Sequence, residues 1–311
     1  MELRWLEAFV AVAEELHFGR AAQRLRMAQS PLSQTVRKLE KDVGADLFNR
    51  STRSVALTGA GHALLPHAYR VLDEVRLAER APTIGAGTVY GKVSIGFSGA
   101  LNHRTLPPLI RALRERHPGI EVDLVSRVLT GEAAEKLANG SLDLAFVGLP
   151  MPTGRWQTRR IARERLGVLL PSDHRLADQT QIDLADMAGE PFVIMPLHSQ
   201  STVTAASLAA FSDSGIRPLV VQEVPDPYIA MTLVASGMGC AVMPESITDI
   251  VPAGAEFRYL SEPSRFHEHG LAWREDSASG ALEAVLAIAD EVLPEPTHLP
   301  DRRPRSASTG S

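Results

Sequence analysis

The sequence predicts an α/β protein made of a small winged helix-turn-helix module, a long linker helix and a larger α/β part. Three observations predict it. Residues 1–58 carry helical apolar spacing and then a short strand–turn–strand pattern. Residues 58 to about 80 keep one apolar seam. From Lys92 onward, strand and helix patterns alternate. The 311 residues, 44% hydrophobic and 22% charged, are enough for two or three domains with large cores. Aromatics make up only 5%, so aliphatic cores are expected. A single cysteine, Cys240, excludes an intramolecular disulfide and an all-cysteine metal site. The start Met-Glu-Leu-Arg-Trp has no apolar leader pattern, and no apolar run approaches the roughly 18 residues of a membrane span. The expected location is therefore cytoplasmic, with no membrane partner.

The first helix is expected over residues 2–16, with Leu3, Leu6, Phe9, Val10 and Ala13 on one stripe and Trp5 and Leu16 flanking it. Arg4 is left open between a phosphate contact and solvent. Two short helices follow. Ala21, Ala22 and Leu25 face inward on one, and Leu32, Val36, Leu39 and Val43 on the other. Small alanines at the crossing let the backbones approach steeply, as a helix-turn-helix requires. Pro31 suits the first turn of the second helix, where a missing N–H costs nothing. Gln29, Ser30, Ser33, Gln34 and Arg37 then lie on its outward side, with donors and acceptors able to read base edges in a major groove. Gly44 closes the helix, Leu47-Phe48 starts a strand and Val55-Ala56-Leu57 returns. The result is a wing whose tip carries Arg50 and Arg53.

Charge favours the nucleic-acid reading over a solvated helix pair. Residues 20–53 hold eight Lys/Arg (Arg20, Arg24, Arg26, Arg37, Lys38, Lys41, Arg50, Arg53) against three acids, Glu40, Asp42 and Asp46, while the whole chain carries −5. A basic module on an acidic chain is the electrostatic footprint of DNA binding.

Thr58 is a suitable N-cap for the long helix. Leu64, Leu65, Ala68, Val71, Leu72, Val75 and Ala78 form a near-heptad seam suited to pairing with a second copy. Pro66 lies within it, and an internal proline costs about 3 kcal/mol, so a bend or late start is expected. Ala81–Gly91 is a Gly/Pro-rich hinge. Its Gly85, Gly87 and Gly91 are spaced one residue too far for a dinucleotide fingerprint, and Gly91-Lys92 is followed by Val93, which excludes a P-loop.

The alternation that follows predicts a parallel sheet with helices on both sides. The first unit reads as strand (Val93, Ile95, Phe97), helix (Pro107–His117), strand (Ile120–Val125), helix (Glu132–Asn139, stopped by Gly140) and strand (Leu142–Val147). The second reads as strand (Leu166–Leu170), strand (Phe192–Met195), helix (Ser201–Phe211), strand (Leu219–Val224), helix (Tyr228–Ser236) and strand (Gly239–Met243). Gly270–Trp273 and the helix Ala281–Val292 return to the first unit. Two such units enclose a cleft, a two-lobed architecture that resembles the periplasmic binding proteins and suits hinge motion. Ligands of parallel sheets bind beyond the carboxyl ends of strands. That places Ser98, Gly99 and Ala100 at one strand mouth, ahead of a helix N-terminus that favours an anion, with Thr130 at the next. Pro196, Leu197, His198 and Ser199 face them from the second unit. Ser98 and Thr130 also suit plain helix caps. Cys240 lies in an apolar strand and reads as a buried, inert thiol. His267 and His269 bracket Glu268 with no further ligand nearby in sequence, which reads as a surface pair, so no metal and no cofactor is expected. No Gly-x-Ser-x-Gly nucleophile turn is present.

The ordered string Leu3–Phe9, Phe18–Glu40, Leu47-Phe48-Asn49-Arg50 and Leu57-Thr58-Gly59-Ala60-Gly61 resembles the LysR-type transcriptional regulators. Leu142-Asp143-Leu144-Ala145 and Val234–Ser246 extend the likeness over nearly the full chain. The resemblance implies a homo-oligomeric regulator of double-stranded promoter DNA, controlled by a small-molecule effector held between the lobes. It implies domains at 1–58 (DNA-binding), 59–90 (linker helix and hinge) and 91–293 (effector-binding). The lobes would be about 91–161 with 267–293, and about 162–266, ahead of a disordered tail, 294–311. It implies major-groove contacts by Gln29, Ser30, Pro31, Ser33 and Gln34, phosphate contacts by Arg37 and Lys38, and a wing whose Arg53 enters the minor groove or clamps phosphate. The Ser98, Thr130 and Pro196–Ser199 positions would touch the effector, and the linker helix would form a dimer, extended to a tetramer. RNA polymerase is a further partner the resemblance allows. Family members that sense aromatic-pathway acids carry an arginine near the end of the strand holding Phe146. Here Val147-Gly148-Leu149-Pro150 has no positive charge, although Arg159 and Arg160 follow. The resemblance thus implies a small organic carboxylate or aromatic-pathway metabolite as effector, with a dicarboxylate disfavoured. The rival readings are a solute-binding protein, which has no use for Gln29–Arg37, and a two-domain enzyme, which needs an acid–base pair in the cleft.

Overall fold

The computed structural model describes residues 1–50, 55–80, 88–196, 201–261, 266–277 and 279–296. Three helices, α1 (Leu3–Glu15), α2 (Phe18–Arg24) and α3 (Gln29–Val43), precede a hairpin of β1 (Phe48–Arg50) and β2 (Val55–Leu57), and α4 (Gly59–Arg80) follows. Leu6, Phe9, Val12, Ala21, Ala22, Leu32, Val36 and Leu39 are buried together, as their spacing predicts. Leu3 departs from that stripe: at the first helical position it is 44% exposed. The core is less aliphatic than composition suggests. Phe9 and Phe18 both close on Phe48, with ring centroids 5.5 and 5.9 Å away. Gly44 ends α3 in the left-handed conformation at φ 73°, where glycine has no Cβ to clash. Thr58 caps α4 by accepting from the Gly61 amide at 3.0 Å. The helix then runs through Pro66 as one element. Its Leu64, Leu65, Ala68 and Leu72 pack against the N-terminal core.

The larger part opens with β3 (Gly91–Phe97), α5 (Asn102–Arg116), β4 (Ile120–Ser126), α6 (Thr130–Ala138) and β5 (Leu144–Leu149). Helix α5 starts five residues before the proline expected to start it, and Pro107 and Pro108 lie inside it. Next come β6 (Trp156–Pro171), β7 (Gln181–Ile182), β8 (Pro191–Ile194), α7 (Thr202–Asp213) and β9 (Leu219–Glu223). The chain continues with α8 (Pro227–Ala235), β10 (Ala241–Pro244), β11 (Ala255–Leu260), β12 (Phe266–Arg274) and α9 (Gly280–Val292).

The sheet is mixed rather than wholly parallel. Strands β4, β3 and β5 are parallel, but β12 runs antiparallel between β5 and β6, and β10 and β11 pair antiparallel with β6. Strands β8 and β9 form a separate parallel pair, joined to the chain before β10 by Val193 N donating to Cys240 O at 2.8 Å. The physical reason is the 16-residue β6. It and β12 are long enough to run from one α/β unit into the other, and a strand that crosses between units must return beside itself.

Candidate functional site

Two regions carry chemistry. On α3, Gln29, Ser30, Pro31, Gln34, Arg37 and Lys38 are exposed, and Ser33 is half-buried. The opposite face is sealed by Leu32, Val36 and Leu39, each 0% exposed. Burial of those three sets the rotation of the helix, so the polar face must point outward. The basic surface is smaller than a count of charges suggests. Arg20 Nε pairs with Glu15 Oε2 at 3.2 Å and Arg24 pairs with Glu14, so two cations are tied to α1. Arg4 is likewise paired, with Glu2 at 2.6 Å. Arg50 ends β1, while Arg53 lies outside the described residues.

Glu40 is a residue the sequence reading counted only as charge. It is 8% exposed, and its Oε1 accepts from the amides of Leu47 (3.1 Å) and Phe48 (3.3 Å). It thereby fixes where the wing leaves the helix.

The second region is a cavity of about 90 Å³ between the two α/β units. A cavity needs roughly 10–15 Å³ by this measure to hold one water, so a small organic molecule fits. Ser98, Gly99, Ala100 and Thr130 line it from the first unit. Met195 lines it from the second; Pro196, next along, does not, and Leu197, His198 and Ser199 lie outside the described residues. Met243, Thr202, Gly148 and His267 also line it and were not anticipated.

Thr130 is not a cap. Leu129 holds that position, and Thr130 Oγ1 accepts from Gly148 N at 2.9 Å, pinning α6 to β5. Asn102 opens α5 and donates its side-chain amide to Gly99 O at 2.8 Å. Ser201 caps α7, accepting from Thr204 N at 3.4 Å. The N-terminal ends of α5, α6 and α7 thus converge on one cavity, and the positive ends of their helix dipoles favour an anion. No Lys or Arg stands among the described lining residues. Arg159 and Arg160 do not compensate: Arg159 turns to Asp290 (3.0 Å) and Leu293 O (2.9 Å), and Arg160 to Glu268 and Glu295 (both 3.2 Å).

The histidine pair is not on the surface. His267 is 2% exposed, and its Nε2 lies 2.9 Å from Thr202 Oγ1. Burial, and then the neighbouring His269, hold its pKa well below the ordinary imidazole value, so the ring is neutral. Gly148 makes room for this contact: a Cβ there would overlap Thr202 Oγ1 and come within 3.0 Å of His267 Nε2. A glycine inside an apolar strand was the available sequence signal for such a close approach. Cys240 is 1% exposed, and burial pushes its thiol up to about 12, which makes it inert at neutral pH.

Comparison with known proteins agrees with this geometry. Residues 3–62 match the model of the bacterial regulatory helix-turn-helix protein, lysR family, and residues 86–294 that of the LysR substrate binding domain. The chain is 42% identical over 293 residues to the HTH-type transcriptional regulator ShiR of Corynebacterium glutamicum, covering 94% of this chain and 99% of that one. It is 30% identical over 294 residues to AlsR of Bacillus subtilis, covering 93% and 96%. Among solved structures, full-length CbnR complexed with its target DNA superposes with TM-score 0.76 at 25% identity, covering 94% of this chain and 100% of that one. Among the described residues, no helix is long and apolar enough to cross a membrane. The relatives are transcriptional regulators rather than enzymes, and this chain belongs to the LysR family: it is a DNA-binding transcriptional regulator with an effector-binding domain.

Proposed function

We propose that Gln29, Ser30, Pro31, Ser33 and Gln34 read the major groove, that Arg37, Lys38 and Arg50 hold phosphates, and that Arg53 clamps phosphate or enters the minor groove. The cleft takes a small, mostly apolar organic acid with one carboxylate. The observation that carries the effector class is the convergence of three helix N-termini on a cavity with no cationic side chain among its described lining residues. Backbone N–H groups and hydroxyls suffice for one carboxylate, whereas a second would be buried without a counter-charge. The domain limits are residues 1–58, 59–90 and 91–293, with the lobes dividing near 161 and 267. The protein works in the cytoplasm as a dimer through α4, assembled further into a tetramer, with RNA polymerase as the next partner. The effector closes or rotates the cleft and so changes the spacing of two reading helices about 34 Å apart.

A gel shift on the DNA upstream of the chain's own reading frame, with and without aliphatic and aromatic monocarboxylates, tests this. Ser33→Ala with Gln34→Ala should lower discrimination between operator and random DNA, because each good base contact discriminates by about 1–3 kcal/mol. Unchanged discrimination would remove α3 from the reading role. A shift that responds to dicarboxylates and to no monocarboxylate would overturn the effector class.

A further inference from the structure

We propose that Glu164, His267 and His269 form a binding site for a divalent transition-metal ion of the zinc type in the wall of the cavity. This goes beyond the effector reading and does not depend on it. The three residues are far apart in sequence but are brought together by the register of β6 and β12, in which His267 stands opposite Glu164. His269 follows two residues on, and side chains two apart share a face of a strand. One ligand atom from each of the three lies within 4.8 Å of the other two. His267 Nδ1 is 2.8 Å from His269 Nε2, which is 2.6 Å from Glu164 Oε2.

With Glu164 ionised, protons on the two rings do not satisfy every close contact. The other ring nitrogen of His267 faces Thr202 Oγ1 at 2.9 Å. If it donates there, His267 Nδ1 presents a bare lone pair. His269 Nε2 has one hydrogen at most and two acceptors in reach, His267 Nδ1 and the carboxylate. If instead His267 Nδ1 holds the proton, His269 Nε2 must accept it and turns a lone pair toward Glu164. Either way, with Glu164 ionised, one hydrogen is left to serve two close contacts. Glu164 is 3% exposed, and neither carboxylate oxygen accepts a hydrogen bond among the described residues. A buried carboxylate needs a cation, and His269, 2.6 Å away, supplies one only when protonated, whereas a metal ion supplies it with both rings neutral.

A metal ion meets all three demands at once. Two imidazoles and one carboxylate are an established zinc donor set of the open type, with bonds of about 2.0–2.2 Å, so the ligand atoms need to spread only to about 3.3 Å. Thr202 would hold His267 in the required tautomer from outside, as hydrogen-bond partners of metal-bound histidines do. His267 and His269 both line the cavity, so the remaining coordination position faces it and is open to water or to a ligand oxygen.

The test uses the full-length chain freed of metal with a chelator. Equilibrium dialysis against Zn²⁺ should give one ion per chain. Co²⁺ in its place should show the ligand-field absorption of a low-symmetry nitrogen–oxygen site, and Mg²⁺ should not be taken up. His269→Asn and Glu164→Gln should each weaken Zn²⁺ binding by about 100-fold, and Thr202→Val, which only positions His267, by about 10-fold. His117→Asn should leave it unchanged. Zn²⁺ should also raise the Tm of the wild-type chain by mass action, a readout that stands if a variant fails to fold. No stoichiometric uptake by the wild type, or full-strength binding in a folded His269→Asn, would overturn the site.

Discussion

Glu40 illustrates how one side chain can set the geometry of a reading module. It lies on α3, but its carboxylate serves the amides of Leu47 and Phe48, which would otherwise be buried donors without partners. An unsatisfied buried group costs roughly 1–3 kcal/mol, so Glu40→Ala should destabilise the N-terminal module by about 2–3 kcal/mol. Local opening there is separable from the rest of the chain. Hydrogen exchange should therefore speed up at Leu47 and Phe48 while amides of β5 and β12 keep their protection. Equal loss across both parts would mean that the carboxylate has a different role. In the sequence, Glu40 looks like any surface acid of an amphipathic helix. Only the return of the chain at Leu47 reveals it, and that return is a tertiary event.

At the scale of elements, what could be read in advance follows from how local the cause is. Helices α1 to α3 and the hairpin were legible because apolar spacing and a closing glycine at 44 fix them within a few residues. The strand mouths at Ser98 and Thr130 were legible from the strand–helix alternation, although the helix starts were placed too late. The long β6 was not. Its stretch Arg159-Arg160-Ile161-Ala162-Arg163-Glu164-Arg165 reads as a solvated charge run, yet Arg160 and Arg163 pair with Glu268 on β12. That pairing spans more than a hundred residues and has no local signature. The same strands bring His267 and His269 to Glu164, so the cluster was hidden with them.

Helix α4 is a mixed case. Its seam was visible, but half of it is used at home, with Ala68 0% and Leu72 8% exposed. In the proposed dimer, what is left for a second copy includes Val71, which is 42% exposed. Val71→Glu should therefore shift the protein toward smaller assemblies in sedimentation velocity without unfolding it. An unchanged assembly would move the dimer contact off this helix.

Across the whole molecule, the two α/β units are joined by strands and by side-chain bridges. Strands β6 and β12 cross between them side by side. Beside the cavity, Asp249 Oδ2 takes Arg104 Nε at 2.6 Å and His103 Nε2 at 3.1 Å, and Arg104 Nη2 donates to Thr248 Oγ1 at 3.2 Å. Both basic residues belong to the first turn of α5, directly after the cavity-lining Asn102, so an occupant that tilts α5 acts on this bridge. The Arg104 guanidinium first, then the His103 imidazole, hold the Asp249 carboxyl at about 2. Its side chain is 47% exposed, so solvent screening limits the bridge to about 1 kcal/mol or less. The sign follows from a folded pKa lying below the unfolded value of about 3.9: the stabilisation is present above that pH and fades as pH falls toward 2. In urea unfolding, wild type should exceed Asp249→Asn by a small, constant margin from pH 7 down to about 4, and the margin should then close. A gap that widens in acid would mean that Asp249 is stabilised in its protonated form, and the bridge would not contribute to holding the lobes.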